Sequence, residues 1–235
     1  MKTSYRFLAA PDRCGYLPER SARMEYEHVE RMTTAEYSAR LLAGWRRFGH
    51  MLFRPCCPGC TACVSLRVDV ARFQPDRSQR RAMKATADVG LTIGAPGLTP
   101  TKLALYERYH AYRAVTRGWS WRGEDPYSFH GSFVSNPFPT EEWRYTLGGD
   151  LVGLGYVDAL PAGLSAIYFV YEPDEAWRGL GTANVLRLIA EARARSLPHV
   201  YLGYHVADCI SLAYKARFRP CQFLGPDGAW RDGEA

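Results

Sequence analysis

The residues best suited to chemistry lie late in the chain. Arg178-Gly-Leu-Gly181-Thr182-Ala183 follows an apolar run and opens a stretch of helical periodicity. Glycines there admit a ligand close to the backbone. A helix N-terminus offers unpaired N–H groups and the positive end of the dipole to an anion such as phosphate. A glycine-containing loop with no ligand is the other reading of this stretch. Further on, Ile210-Ser-Leu-Ala-Tyr214-Lys215-Ala-Arg-Phe218 places a phenol and an amine on a short helical segment. A tyrosine hydroxyl near a leaving group can act as a general acid, although packing against a helix surface is the commoner fate of a tyrosine.

Three further clusters stand out. Tyr201-Leu-Gly203-Tyr204 sets aromatics around a glycine, which makes either a stacking platform for a base or plain core. Gly44-Trp45-Arg46-Arg47-Phe48-Gly49 and Ser78-Gln79-Arg80-Arg81 carry paired arginines, able to clamp phosphate or carboxylate bidentately or to form a solvated basic end. Cys56, Cys57, Cys60 and Cys63 form overlapping C-x-x-C patterns with Cys14 upstream. Zinc or an iron–sulfur cluster needs about four thiolates at such spacing. One crowded cluster with Leu17 where a second knuckle cysteine could stand does not favour it, and a reduced cysteine turn is the alternative. No cofactor is required by this reading.

These residues need a scaffold, and the composition allows one. The chain has 235 residues, 47% hydrophobic and 23% charged, ordinary for a folded chain with a sizeable core. No apolar run of about 18 residues or more suggests a membrane span, and the N-terminus lacks a signal-peptide h-region. The cytoplasm is the expected compartment. Seven cysteines are too few and too clustered for a disulfide scaffold. The formal charge of +6 is uneven. Residues 40–84 hold ten basic side chains against Asp69 and Asp76, a field suited to a polyanion or to a solvated basic face.

Periodicity predicts a helix over Thr33–Gly49, a strand over Val64–Val70 and a basic helix over Pro75–Asp88. The glycine- and proline-rich stretch Gly90–Pro100 reads as a loop and a soft boundary, dividing 1–90 from 101–235. Beyond it come a helix over Thr101–Thr116, a short helix over Pro126–Ser135, and strands over Trp143–Leu147, Leu151–Ala159 and Leu164–Tyr171. A helix over Arg178–Ser196, a strand over His199–Gly203, a helix over Ile210–Ala216 and a strand over Gln222–Leu224 follow. The order implies an α+β fold with a mostly antiparallel sheet. It is the order of a GCN5-type acyltransferase-like domain, preceded by a smaller basic, Cys-containing N-terminal region. The 178–183 stretch fits that fold's signature of Gln or Arg followed by spaced glycines.

Read together, the sequence resembles the aminoacyl-tRNA–protein transferase family. The resemblance runs through CGYLPER at 14–20, YSARLLAGWRRFG at 37–49, RPCCPGCTACVSLRV at 54–68 and FQPDRSQRR at 73–81. It continues through YHAYR at 109–113, YVDALPAGLSAIYFVYEPDEAWRGLGTANVL at 156–186, YLGYHVADCISLAYKARFRP at 201–220 and Trp230. The length and the CGYL start favour the bacterial leucyl type, whereas Cys56-Cys57-Pro58 looks more like the arginyl branch.

The resemblance implies acyl transfer from a charged tRNA to proteins with N-terminal Asp or Glu, marking them for N-degron degradation. It implies that Arg178, Gly181 and Thr182 face the tRNA 3′ end, that Tyr214 is the acid for the departing ribose hydroxyl, and that Asp158 or water takes a proton from the attacking ammonium. Tyr168, Tyr201 and Tyr204 would line the pocket, Ser165 would donate to a carbonyl, and Arg46, Arg47 or Lys215 would receive the substrate carboxylate. The alternative in another enzyme class is an acetyl-CoA-dependent N-acetyltransferase. A non-catalytic alternative is an RNA-binding module with a zinc-ribbon-like N-terminal part.

Overall fold

A computed structural model describes residues 1–121 and 123–233. In chain order its strands are β1 Lys2–Leu8, β2 Asp12–Arg13, β3 Ser21–Ala22, β4 Met24–Arg31, β5 Arg46–Phe48, β6 Met51–Pro55, β7 Val64–Asp69, β8 Gly90–Gly94, β9 Glu141–Leu147, β10 Asp150–Leu160, β11 Gly163–Tyr171, β12 His199–His205, β13 Cys221–Leu224 and β14 Trp230–Asp232. The helices are α1 Thr34–Leu42, α2 Arg77–Ala85, α3 Pro100–Arg117, α4 Pro126–Phe129, α5 Leu180–Ala194 and α6 Ile210–Ala213. A π turn covers His130–Val134, and 3₁₀ turns cover Pro173–Arg178 and Tyr214–Arg217.

Local chemistry fixes the helix starts. Thr33 with Glu36, and Asp76 with Gln79, form reciprocal capping boxes at α1 and α2. Thr99 caps α3 ahead of Pro100, and Gly118 ends that helix in the left-handed region. Sequence periodicity carries α1 too far. Its helix stops at Leu42, Gly44 turns at φ +85°, and Arg46–Phe48 pairs with β6 as a strand. Trp45 is buried as expected, but from a turn.

Two sheets organise the chain. The larger has eight strands in the order β14-β13-β7-β12-β11-β10-β9-β8, and the smaller has the order β1-β4-β6-β5. The stretch expected as a loop at 90–100 holds β8, which zips onto β9 at the sheet edge. The strand β7 comes from the first ninety residues, yet it lies inside the large sheet between β12 and β13. The sheets therefore do not divide where composition shifts. The helix expected from Arg178 begins at Leu180, and that expected over Ile210–Ala216 is one α turn followed by a 3₁₀ turn.

One joint in the large sheet differs from the rest. Its β11 and β12 pair parallel, and only at Leu164–Val200 and Ser165–Tyr201. Every other neighbouring pair is antiparallel. A parallel pair needs a crossover, and α5 supplies it, packing Leu180, Val185, Leu188, Ile189 and Ala192 on the sheet. Past Ser165 and Tyr201 no ladder joins the two strands, so the sheet opens as a V. A second core gathers Val29, Tyr37, Leu41, Trp45, Leu52 and Tyr201. A third, aromatic core lies under α3 around Tyr106, Tyr109, Phe129, Phe133 and Tyr156. Among the described residues, no helix is long and apolar enough to cross a membrane.

Candidate functional site at the splayed joint

The V is filled from the side by β5. Alternation along a strand sends Arg46 to one face and Arg47 to the other. Arg46 Nη1 donates to Ser165 Oγ at 3.2 Å, and its Nη2 donates to the Ala166 carbonyl. Lys215 enters from the 3₁₀ turn at the mouth, and its Nζ donates to the Tyr204 carbonyl at 2.8 Å. Gly203 lies between them at φ +79°, and a Cβ there would stand 3.5 Å from Arg46 Nε and 3.7 Å from Lys215 Nζ. A glycine suits both that backbone and the close approach of the two cations. Arg46 is buried and Lys215 half-buried, and neither has a carboxylate partner among the described residues. Burial, with the neighbouring Arg46 guanidinium adding to it, pulls the Lys215 amine from its ordinary 10.5 to about 7. Two poorly solvated cations held side by side form a receptor for an anion.

The other expected groups divide sharply. Arg47 is buried, with Nε 2.9 Å from Asp158 Oδ2 and Nη2 on Oδ1. It also donates to Asn136, Thr140 and the Gly49 carbonyl. Asp158 is wholly buried and accepts from Thr140 Oγ1 as well. The carboxylate is sealed inside the fold on three internal donors, so this pair ties β5 to β10 and is occupied within the chain. Arg178 is also occupied. It binds Glu175, the Ala85 carbonyl and Asp88, so it pins the 3₁₀ turn to the end of α2 and its guanidinium is already paired within the fold. Ser165 is fully buried and holds Arg46. Tyr201 is buried beneath the joint, where its hydroxyl accepts from Arg67 and its ring meets Trp230 edge-on at 5.7 Å. For the strand residues the placement has one cause. Sequence reveals the residue type but not the face of the sheet, and the register bulge between Tyr201 and Gly203 reverses which aromatics point into the V.

Tyr204 and Tyr168 do reach the V. Tyr204 donates to the Gly44 carbonyl at 2.8 Å. The Tyr168 hydroxyl lies 3.0 Å from His110 Nε2, and burial holds that imidazole neutral, down to about 4. Gly179, at φ +75°, opens α5 without any side-chain cap, so the amides of Leu180, Gly181 and Thr182 have no intrahelical acceptor. Gly181 lies beside the Tyr171 ring, 3.9 Å from a built Cβ. Tyr214, 41% exposed, stands on this side of the mouth with Tyr171 and Arg113. Arg113 caps Trp119 at 4.9 Å, and its buried Nε has no hydrogen-bond partner. Sequence reading passed over Arg113 and His110, although both fall inside the YHAYR block at 109–113.

The cysteines gather near the same mouth. Burial, with Cys14, Cys57, Cys60 and Cys209 adding to it, raises the Cys63 thiol to about 12. Cys14 accepts from the Leu17 amide, Cys57 from the Arg23 amide and Cys60 from Arg20. Among the described residues no three His, Cys, Asp or Glu side chains converge as metal ligands.

Comparison with known proteins settles the kinship. Residues 12–81 match the family described as arginine-tRNA-protein transferase, N terminus, and residues 101–225 match its C terminus. The chain belongs to the arginine-tRNA-protein transferase family. The aspartate/glutamate leucyltransferase of Halorhodospira halophila is 40% identical over 225 residues, covering 94% of each chain. That of Marinobacter nauticus is 37% identical, covering 99% of this chain and 97% of the relative. Among solved structures, L-PGS from Bacillus licheniformis aligns with a TM-score of 0.45 at 11% identity, over 73% of this chain and 50% of that one. The blocks quoted from 14–81 and from 109–220 fall almost wholly within the two family matches.

Proposed function

We propose that this member of the family moves an aminoacyl group, leucyl in preference to arginyl, from charged tRNA to the α-amine of proteins beginning with Asp or Glu. Such tagging marks proteins for N-degron degradation in the cytoplasm, where charged tRNA is available. The observation that carries the reading is the pair Arg46, buried, and Lys215, half-buried, with no anionic partner among the described residues, at the joint between β11 and β12. An acceptor side-chain carboxylate placed there would neutralise both cations and hold its own α-amine at the mouth.

The rest of the site fits the donor. The uncapped start of α5, where Gly181 lies beside the Tyr171 ring, suits phosphate at the tRNA 3′ end. Helix α2 packs against α5 and exposes Arg77, Arg80, Arg81 and Lys84, none in an ion pair among the described residues, which gives an acceptor stem a cationic approach. We read the parallel joint with α5 across it as the GCN5-type arrangement with a nucleic-acid 3′ end in place of a carrier. The donor is an activated ester, so no covalent enzyme intermediate or resident cofactor enters. The neutral amine attacks the ester carbonyl, a C–N bond forms, the C–O bond to the 3′ oxygen breaks, and water takes the amine proton. Tyr214 would give its proton to the departing oxygen and be reprotonated by solvent.

Transfer from leucyl- and arginyl-tRNA to peptides beginning with Asp, Glu or Ala tests the reading. Transfer to Asp and Glu, with Ala refused, is expected. No transfer from either tRNA overturns it, and thermal stabilisation by acetyl-CoA but not by tRNA would put the N-acetyltransferase in its place.

A further inference from the structure

Beside the V lies a second space, a cavity of about 410 Å³ between the 14–16 loop and the small sheet. It is within the range of ligand pockets, about 300–1,000 Å³. Met24, Phe48, Met51, Phe53, Cys63 and Tyr204 contribute to its wall, and no Asp, Glu, Lys or Arg lines it. Cys63 stays a neutral thiol, since burial raises its pKa from 9.0 to about 12. The pocket and the cations are joined twice. Tyr204 closes the pocket while its carbonyl holds Lys215. Phe48 follows Arg46 by two positions on β5, so both point to the same face, about 7 Å apart along the strand. An ester carbonyl and an attacking amine fit in that interval.

We propose that this pocket receives the donor's leucyl side chain and thereby selects leucine against arginine. The inference rests on the transfer reading above. An apolar side chain in this wall gains about 0.8 kcal/mol per buried methylene. An arginyl guanidinium would be buried with no carboxylate to meet it, and Arg46 and Lys215 at the rim would repel it. The cations that draw an acidic acceptor thus also exclude a basic donor.

Binding of 3′-amido-linked leucyl-, alanyl- and arginyl-adenosine to the full chain, measured by calorimetry, tests this independently of turnover. The leucyl analogue is expected to bind roughly 10- to 100-fold tighter than the alanyl one, with the arginyl one no tighter than the alanyl. Met24→Trp, or Met51→Phe if that variant does not fold, should erase the leucyl preference and leave the alanyl analogue as in wild type. Phe53→Ala should admit a phenylalanyl analogue. Leucyl binding unchanged in the filled variant, or arginyl bound as tightly as leucyl, overturns the pocket. Failure of the wild-type chain to transfer from any charged tRNA would instead overturn the parent reading, whatever the analogues do.

Discussion

Replacing Lys215 with Met separates a cation kept for a substrate from one kept for the fold. The amine has been drawn from 10.5 to about 7, which corresponds to roughly 5 kcal/mol of disfavour for its charged form. Relaxation and water entry reduce such penalties, so about half is the working figure. The substitution also removes the hydrogen bond to the Tyr204 carbonyl, worth about 1 kcal/mol. The free protein should therefore gain roughly 1–2 kcal/mol at pH 7, or about 3–6 °C in Tm for a chain of this size. The sign follows from linkage. The unfolded chain keeps the ordinary lysine value, so between about 7 and 10.5 the wild-type fold binds fewer protons than the unfolded chain and grows more stable as pH rises. The advantage of Met should be greatest at pH 7 and below, and should shrink toward pH 9. Activity should move the other way. Loss of a charge-assisted hydrogen bond to the acceptor carboxylate costs about 1.5–3 kcal/mol, so kcat/KM for an Asp peptide should fall roughly 10- to 150-fold. An Ala peptide should remain refused, and binding of the charged tRNA should be unaffected. Calorimetry from pH 6.5 to 9 and peptide transfer assays measure both. A lower Tm with an equal loss of tRNA binding would show that Lys215 is a structural residue and refute the reasoning.

Other substitutions probe the remaining assignments. Asp158→Asn leaves Arg47 buried without its counter-charge, which should cost about 3–5 kcal/mol and lower Tm by roughly 8–15 °C. Turnover per folded molecule at low temperature should nonetheless stay near wild type; a fall in kcat with Tm intact would restore Asp158 as a proton acceptor. Tyr214→Phe should reduce kcat about 10²-fold or more with KM for the peptide and Tm unchanged, and an unaltered kcat removes the phenol from the reaction. Arg80→Gln with Arg81→Gln should weaken tRNA binding and reduce the salt slope of log Kd by about 1 to 2. A slope equal to wild type would take α2 off the tRNA path.

Sequence alone determined the kinship, the approximate helix starts and most of the element order of the second half. Capping residues such as Thr33, Asp76 and Thr99 act on backbone amides three positions away, so a helix start is a local property, although the cap of α1 is Thr33 where the sequence suggested Thr34. The apolar runs of β9 to β12 and α5 likewise declare themselves by period. What the chain order could not reveal is which charges meet. Arg46 and Arg47 are adjacent and chemically identical, yet strand alternation sends one to neutral partners at the β11–β12 joint and the other to Asp158, 111 positions away. Arg178 has the type a phosphate loop asks for, but Asp88 and Glu175 neutralise it in the folded chain. The small sheet also escaped notice, because β5 hides in what reads as the end of a helix and β1 is an exposed edge. Long-range pairing decides which cations are satisfied at home and which are left for a substrate, and that sum is made only when distant strands share a sheet.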